Sequence, residues 1–215
     1  MIPNNVLEDN AVIGDDKRIL RDIHLKSKNI AVYERSIESL KTGLNQLVMQ
    51  PIEYRVNGTV EEITNSLSTY FTKVLPKHTD LMEDILNLLK LFEQITEVSS
   101  FQVSLAKIST TMCPRFHADN NELRMLCTYH GPGTQWLPNY AVNRKAYLSG
   151  KDNQKILADE NLARQVDTGA VVILKGALYW ESNPILHRSP NIEKKAKGRI
   201  LLSIDINESL SPLRK

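Results

Sequence analysis

One segment limits the fold of this 215-residue chain more than any other. Over Thr79–Thr96 the apolar residues Leu81, Met82, Ile85, Leu88, Leu89, Leu91, Phe92 and Ile95 make a wide stripe at helical spacing. A helix with such a stripe must bury it, and a sheet is its usual partner. The spacing predicts two more helices before it. One covers residues 36–50, with Ser36 as N-cap, Glu38 in the first turn and Pro51 as the stop. The other covers residues 59–74, opening on a cap and two glutamates and ending before Pro76. Residues 29–35 alternate enough to form a strand ahead of them.

Near residue 100 the pattern changes to short strands. They are predicted over residues 101–110, 123–129, 134–137, 169–175 and 199–206, and Gly131-Pro132-Gly133-Thr134 reads as a tight turn. In the first of these, Phe101, Val103 and Leu105 alternate, whereas Ile108 falls out of step. Several strands at this spacing suggest a β-sandwich or barrel. Residues 1–98 are therefore expected to be a mixed, largely helical segment that buttresses a core over residues 99–210. The stripe of Thr79–Thr96 needs a sheet to cover it.

Composition narrows the function. A hydrophobic fraction of 41%, a charged fraction of 24% and a net charge of +2 are ordinary for a soluble globular protein. They give no electrostatic case for nucleic acid or an anionic membrane. The densest basic run, Lys194-Lys195-Ala196-Lys197, reads as a solvated loop. No apolar stretch approaches a bilayer span. Two cysteines, Cys113 and Cys127, are too few for a disulfide scaffold, and the first residues carry no signal peptide pattern. The expectation is a cytoplasmic protein with free thiols packed as small hydrophobes.

The chemistry-bearing string is Cys113-Pro114-Arg115-Phe116-His117-Ala118-Asp119. On an extended chain His117 and Asp119 point to one face, so an imidazole nitrogen and a carboxylate oxygen can meet one ion. A third ligand must come from elsewhere. Of the five histidines (His24, His78, His117, His130, His187), His187 lies just before the last strong strand. Two histidines and one carboxylate with open positions form the facial triad of non-haem Fe(II). Alone, a His-x-Asp pair is equally a surface hydrogen bond. Arg199 follows His187 by twelve residues and opens a strand, where a guanidinium can hold a carboxylate by two parallel bonds. The Tyr129 hydroxyl could share that carboxylate, or the ring could be core with a wet tip. Trp136 and Trp180 could line a pocket, though tryptophan is more often core or rim.

The order of these motifs resembles the Fe(II)/2-oxoglutarate-dependent dioxygenases, in particular the prolyl-hydroxylase-like and phytanoyl-dioxygenase-like branches. His117-Ala118-Asp119 comes first, then Leu123 with Tyr129, then Gly131-Pro132-Gly133-Thr134-Gln135-Trp136. Gly169 with Lys175-Gly176 follows, then His187, then Gly198-Arg199. The likeness runs over roughly residues 100–206 in order and spacing. It implies an α+β fold with a double-stranded β-helix core, jelly-roll and cupin-like. It implies iron on His117, Asp119 and His187, with 2-oxoglutarate on Arg199 and, more weakly, Tyr129. The strings Cys-Pro-Arg-Phe-His-Ala-Asp, Leu-Cys-Thr-Tyr-His-Gly-Pro-Gly-Thr-Gln-Trp-Leu and His-Arg-Ser-Pro also resemble the bacterial domain of unknown function family numbered 1826. That resemblance covers most of the chain and implies a link to metal homeostasis.

The expected function is an Fe(II)/2-oxoglutarate-dependent oxygenase acting on a small molecule or protein side chain. The alternatives are a zinc-binding accessory protein without redox chemistry and a cupin-like small-molecule-binding module. Arg188, directly after His187, is a second cation that competes with Arg199 for an acid. A cysteine thiolate among the ligands would favour zinc.

Overall fold

The computed structural model describes residues 10–76, 79–157, 159–180, 183–192 and 198–207. His78 and the run Lys194-Lys195-Ala196-Lys197 lie outside the described residues. The strands are β1 (Ala11–Gly14), β2 (Ile30–Tyr33), β3 (Glu53–Thr59), β4 (Ser100–Ile108), β5 (Leu123–His130), β6 (Gln135–Trp136), β7 (Arg164–Gln165), β8 (Val171–Lys175), β9 (His187–Arg188) and β10 (Arg199–Ile206). The three longer helices are α1 (Lys41–Val48), α2 (Val60–Val74) and α3 (Thr79–Thr96).

Seven strands form one sheet in the order β1-β2-β8-β5-β10-β4-β3, and a smaller sheet runs β7-β6-β9. β1 and β2 pair in parallel, and the other pairings of the large sheet are antiparallel. The period of two divides its side chains. Phe101, Val103 and Leu105 of β4, Met125 and Cys127 of β5, and Ile200, Leu202 and Ile204 of β10 face the helices. There they pack with Ile63, Leu67 and Phe71 of α2 and with Ile85, Leu89 and Phe92 of α3. The stripe of α3 thus meets the sheet that its pattern requires. On the opposite face Leu126, Val172 and Leu174 pack with Trp136 and Ile185. This is an α+β fold with a jelly-roll-like core.

Local chemistry explains the helix boundaries. The Thr59 hydroxyl accepts from the Glu62 N–H at 3.3 Å, and the Glu62 carboxylate accepts from the Thr59 N–H at 2.8 Å, a full capping box. The helix predicted over residues 36–50 is shorter. Ser36 accepts from the Glu38 N–H in a local turn, Glu38–Leu40 is 3₁₀, and the α-helix starts at Lys41. Ile108 pairs with Arg199 and belongs to the cavity-facing row of β4, which is why it breaks the apolar alternation.

Residues on both sides of the expected boundary at 98/99 contribute to the large sheet. The first hundred residues supply helices, but they also supply β2, which pairs with β8, and β3, which pairs with β4. An unpaired β4 or β8 would expose a row of backbone donors and acceptors, and these strands cover them.

Candidate metal centre

His117 precedes β5 on a loop, and His187 opens β9. Their main chains exchange two hydrogen bonds: His117 N–H to the His187 carbonyl at 3.0 Å, and His187 N–H to the His117 carbonyl at 2.9 Å. That exchange brings the two rings to 4.6 Å between centroids. Asp119 sits two residues on, its carbonyl fixed by the Ala177 N–H at 2.8 Å. Nε2 of His187 lies 3.2 Å from Asp119 Oδ2, and Nε2 of His117 lies 3.6 Å from Asp119 Oδ1. One ligand atom from each residue falls within 4.8 Å of the others, and among the described residues this is the one such group.

The donor set fits a divalent ion of the iron or zinc kind. His117 Nδ1 donates to the Arg115 carbonyl at 2.9 Å, which leaves the Nε2 lone pair facing the cluster. His187 Nδ1 is buried with no hydrogen-bond partner, so this ring is held by its backbone and by what meets Nε2. Burial alone would push the Asp119 carboxyl up. Hydrogen bonding to His117 and His187 and the charges of His187 and Arg124 instead hold it well below the usual carboxylate range. It is ionised and ready to ligate. The neighbouring Asp119 carboxylate raises the His117 pKa against the opposing effect of burial. No thiolate joins the three. Cys113 is exposed on the cavity wall, and Cys127 is buried on the helix-facing side, its thiol pushed up to about 11 by burial.

His117, His187 and Arg199 line one cavity of about 320 Å³. Arg199 is 2% exposed. Its guanidinium donates to the Thr128 hydroxyl at 2.8 and 3.2 Å and to the Thr134 hydroxyl at 2.7 Å. No carboxylate pairs with it among the described residues. Burial draws its pKa down to about 10. Thr134 is placed by the turn before it. A Cβ on Gly133 would run into the Val166 carbonyl, so only glycine lets the turn close against that segment.

Two expectations change here, those for Tyr129 and Arg188. Tyr129 does not join Arg199. It lies on the helix-facing side, and its hydroxyl donates to Asp84 of α3 at 2.6 Å. Arg188 does not compete for an acid in the cavity, because Glu160 takes its Nη2 at 2.6 Å and Gln135 its Nε at 2.8 Å. Trp136 is core beneath Arg164, and Trp180 is 77% exposed. The sequence reading also passed over Arg124 and Asp205. Arg124 donates to Asp119 Oδ2 and to Asp205 Oδ1, both at 2.6 Å. Its period-two position in β5, out of phase with Met125 and Cys127, was the available signal.

Comparison with known proteins agrees with this architecture. A family model described as "Protein of unknown function (DUF1826)" matches residues 14–205. No curated protein sequence matches the chain. Among solved structures it is similar to the dioxygenase for auxin oxidation 1 from Arabidopsis thaliana in its 2-oxoglutarate complex, with 10% identity, a TM-score of 0.54, and 95% of this chain and 93% of that one covered. A prolyl-4-hydroxylase from Pseudomonas putida gives 11% identity and a TM-score of 0.43 over 88% of this chain and 96% of that one. HygX from Streptomyces hygroscopicus with iron bound gives 10% and 0.44 over 89% and 87%. At 10% identity the likeness to the auxin dioxygenase shows the fold alone.

Proposed function

We infer that this chain, which belongs to the DUF1826 family, is an Fe(II)- and 2-oxoglutarate-dependent oxygenase. Arg199 carries the inference. A guanidinium buried without a carboxylate is costly, and hydroxyl partners offset only part of that cost. A dicarboxylate whose far end meets Arg199 removes the penalty, and its other end then lies in the cavity that His117 and His187 line. A zinc accessory protein needs no cation there and leaves Arg199 unexplained.

His117, Asp119 and His187 would hold the iron. Bound there, iron and 2-oxoglutarate would supply the oxidation with dioxygen as oxidant: one oxygen atom enters the substrate and the other enters succinate as 2-oxoglutarate loses carbon dioxide. The protein's part is placement. Thr128 and Thr134 fix the Arg199 fork, and the Arg115 carbonyl fixes the His117 tautomer.

Anaerobic titration tests this. Protein loaded with Fe(II) should develop a visible charge-transfer band when 2-oxoglutarate is added. Arg199→Ala should need roughly ten- to a hundredfold more 2-oxoglutarate, the worth of a charge-assisted pair. His117→Ala should give no band at a near wild-type melting temperature. A wild type that shows no band and binds zinc tightly would sink the oxygenase reading.

A further inference from the structure

Arg124 is a cation beside a cation site, which needs a reason. Its Nη1 donates to Asp119 Oδ2 at 2.6 Å, and its Nε donates to Asp205 Oδ1 at 2.6 Å. Asp205 is fully committed. Asn121 Nδ2 donates to the same Oδ1 at 2.8 Å, and the Ser203 hydroxyl donates to Oδ2 at 3.0 Å. Asp205 is therefore no base and no spare ligand. Its charge balances Arg124 and leaves the full negative charge of Asp119 for an ion. The elements are rigid, since Arg124 and Asp205 face each other across paired strands β5 and β10. Asn121 is buried, and its main-chain carbonyl accepts from the Leu178 N–H at 3.0 Å.

We propose that the Asp205–Arg124 pair is a positioning device for the metal-ligating carboxylate. It occupies one oxygen of Asp119, so that the carboxylate offers an ion a single oxygen and the remaining coordination positions stay open. A free carboxylate can chelate with both oxygens and fill a position that a co-substrate needs. An arginine does this better than a lysine, because its planar fork spans two carboxylates in fixed geometry. Asp205 acts only through Arg124. This proposal rests on the metal site of the oxygenase reading, but not on 2-oxoglutarate.

Cobalt(II) alone provides the test, because its visible absorption reports coordination geometry and its titration reports affinity. Arg124→Met and Asp205→Asn should each lower cobalt affinity by about 10- to 100-fold, the usual effect of removing an outer partner of a ligand. The double variant should bind no worse than Arg124→Met alone, because one acts through the other. Arg124→Met should also change the cobalt spectrum, and Arg124→Lys should restore part of it. Thermal melts identify any variant that fails to fold, and Arg124→Lys, the mildest change, then carries the spectral comparison. Additive losses, or an unchanged spectrum in Arg124→Met, would overturn the proposal. A wild type that binds no cobalt would remove the metal site itself. Cobalt binding without a 2-oxoglutarate band in the iron form would remove the oxygenase reading and leave this one standing.

Discussion

Thr128 and Tyr129 are neighbours in β5, yet they serve opposite faces of the sheet. The pairing with β10 runs Leu201 with Thr128 and then Ile200 with His130, so it skips Tyr129 in a bulge. Thr128 meets Arg199 on the cavity side, and Tyr129 meets Asp84 on the helix side. Asp84 also receives Arg35, which pairs with it through both terminal nitrogens and donates Nε to the Gly169 carbonyl at 3.0 Å. Tyr129 therefore belongs to a clip between α3 and the sheet. Tyr129→Phe should cost about 1.5–3 kcal/mol, a net hydrogen bond to a charged group, and lower the melting temperature by several degrees. The same variant should leave the 2-oxoglutarate titration unchanged. A weakened titration would return Tyr129 to the co-substrate site.

β8 is apolar along its length until it closes on Lys175, which is 1% exposed. Its ammonium donates to the Leu25 carbonyl at 2.9 Å and lies 4.5 Å over the Tyr179 ring. Burial draws its pKa down to about 8 from 10.5. Below pH 8 the charge is present in folded and unfolded chains, and the burial penalty is felt in full. Between pH 8 and 10.5 the unfolded chain holds more protons, so stability rises with pH. Denaturant unfolding at pH 7.5 and pH 10 should show the wild type gaining on the order of 2 kcal/mol relative to Lys175→Met. A constant difference between the two proteins would contradict this. At this scale, much was legible beforehand. α2, α3, β4, β5 and β10 each repeat a period long enough to read, and β8 is a continuous apolar run. β3 was not legible, because its other face fronts the cavity and leaves only Tyr54 and Val56 to mark it. β6 falls inside the strand predicted over residues 134–137, whereas the two-residue strands β7 and β9 exist only through their partners. The same limit applies to the site. His117, Asp119 and His187 stand out by residue type, whereas Thr128, Thr134 and Arg124 gain meaning only once β10 lies beside β5.

The large sheet draws strands from both halves of the chain. Three of its seven strands and all three long helices precede residue 99. A chain reduced to residues 99–215 would expose the edges of β4 and β8 and the apolar face that α2 and α3 cover. It should fail to fold, with no cooperative thermal transition and aggregation on gel filtration. A soluble, cooperatively melting fragment would restore the boundary at residue 98. Among the described residues no helix is long and apolar enough to cross a membrane. The reciprocal main-chain bond between His117 and His187 has its own effect at this scale. Peptide groups, rather than an ion, set the distance between the two imidazoles, so the socket is complete before anything enters it. The pairing of the two segments then does not wait on the ion, unlike a zinc finger that is unfolded without metal. Occupancy becomes a matter of supply, set by how much free metal surrounds a chain that is already finished.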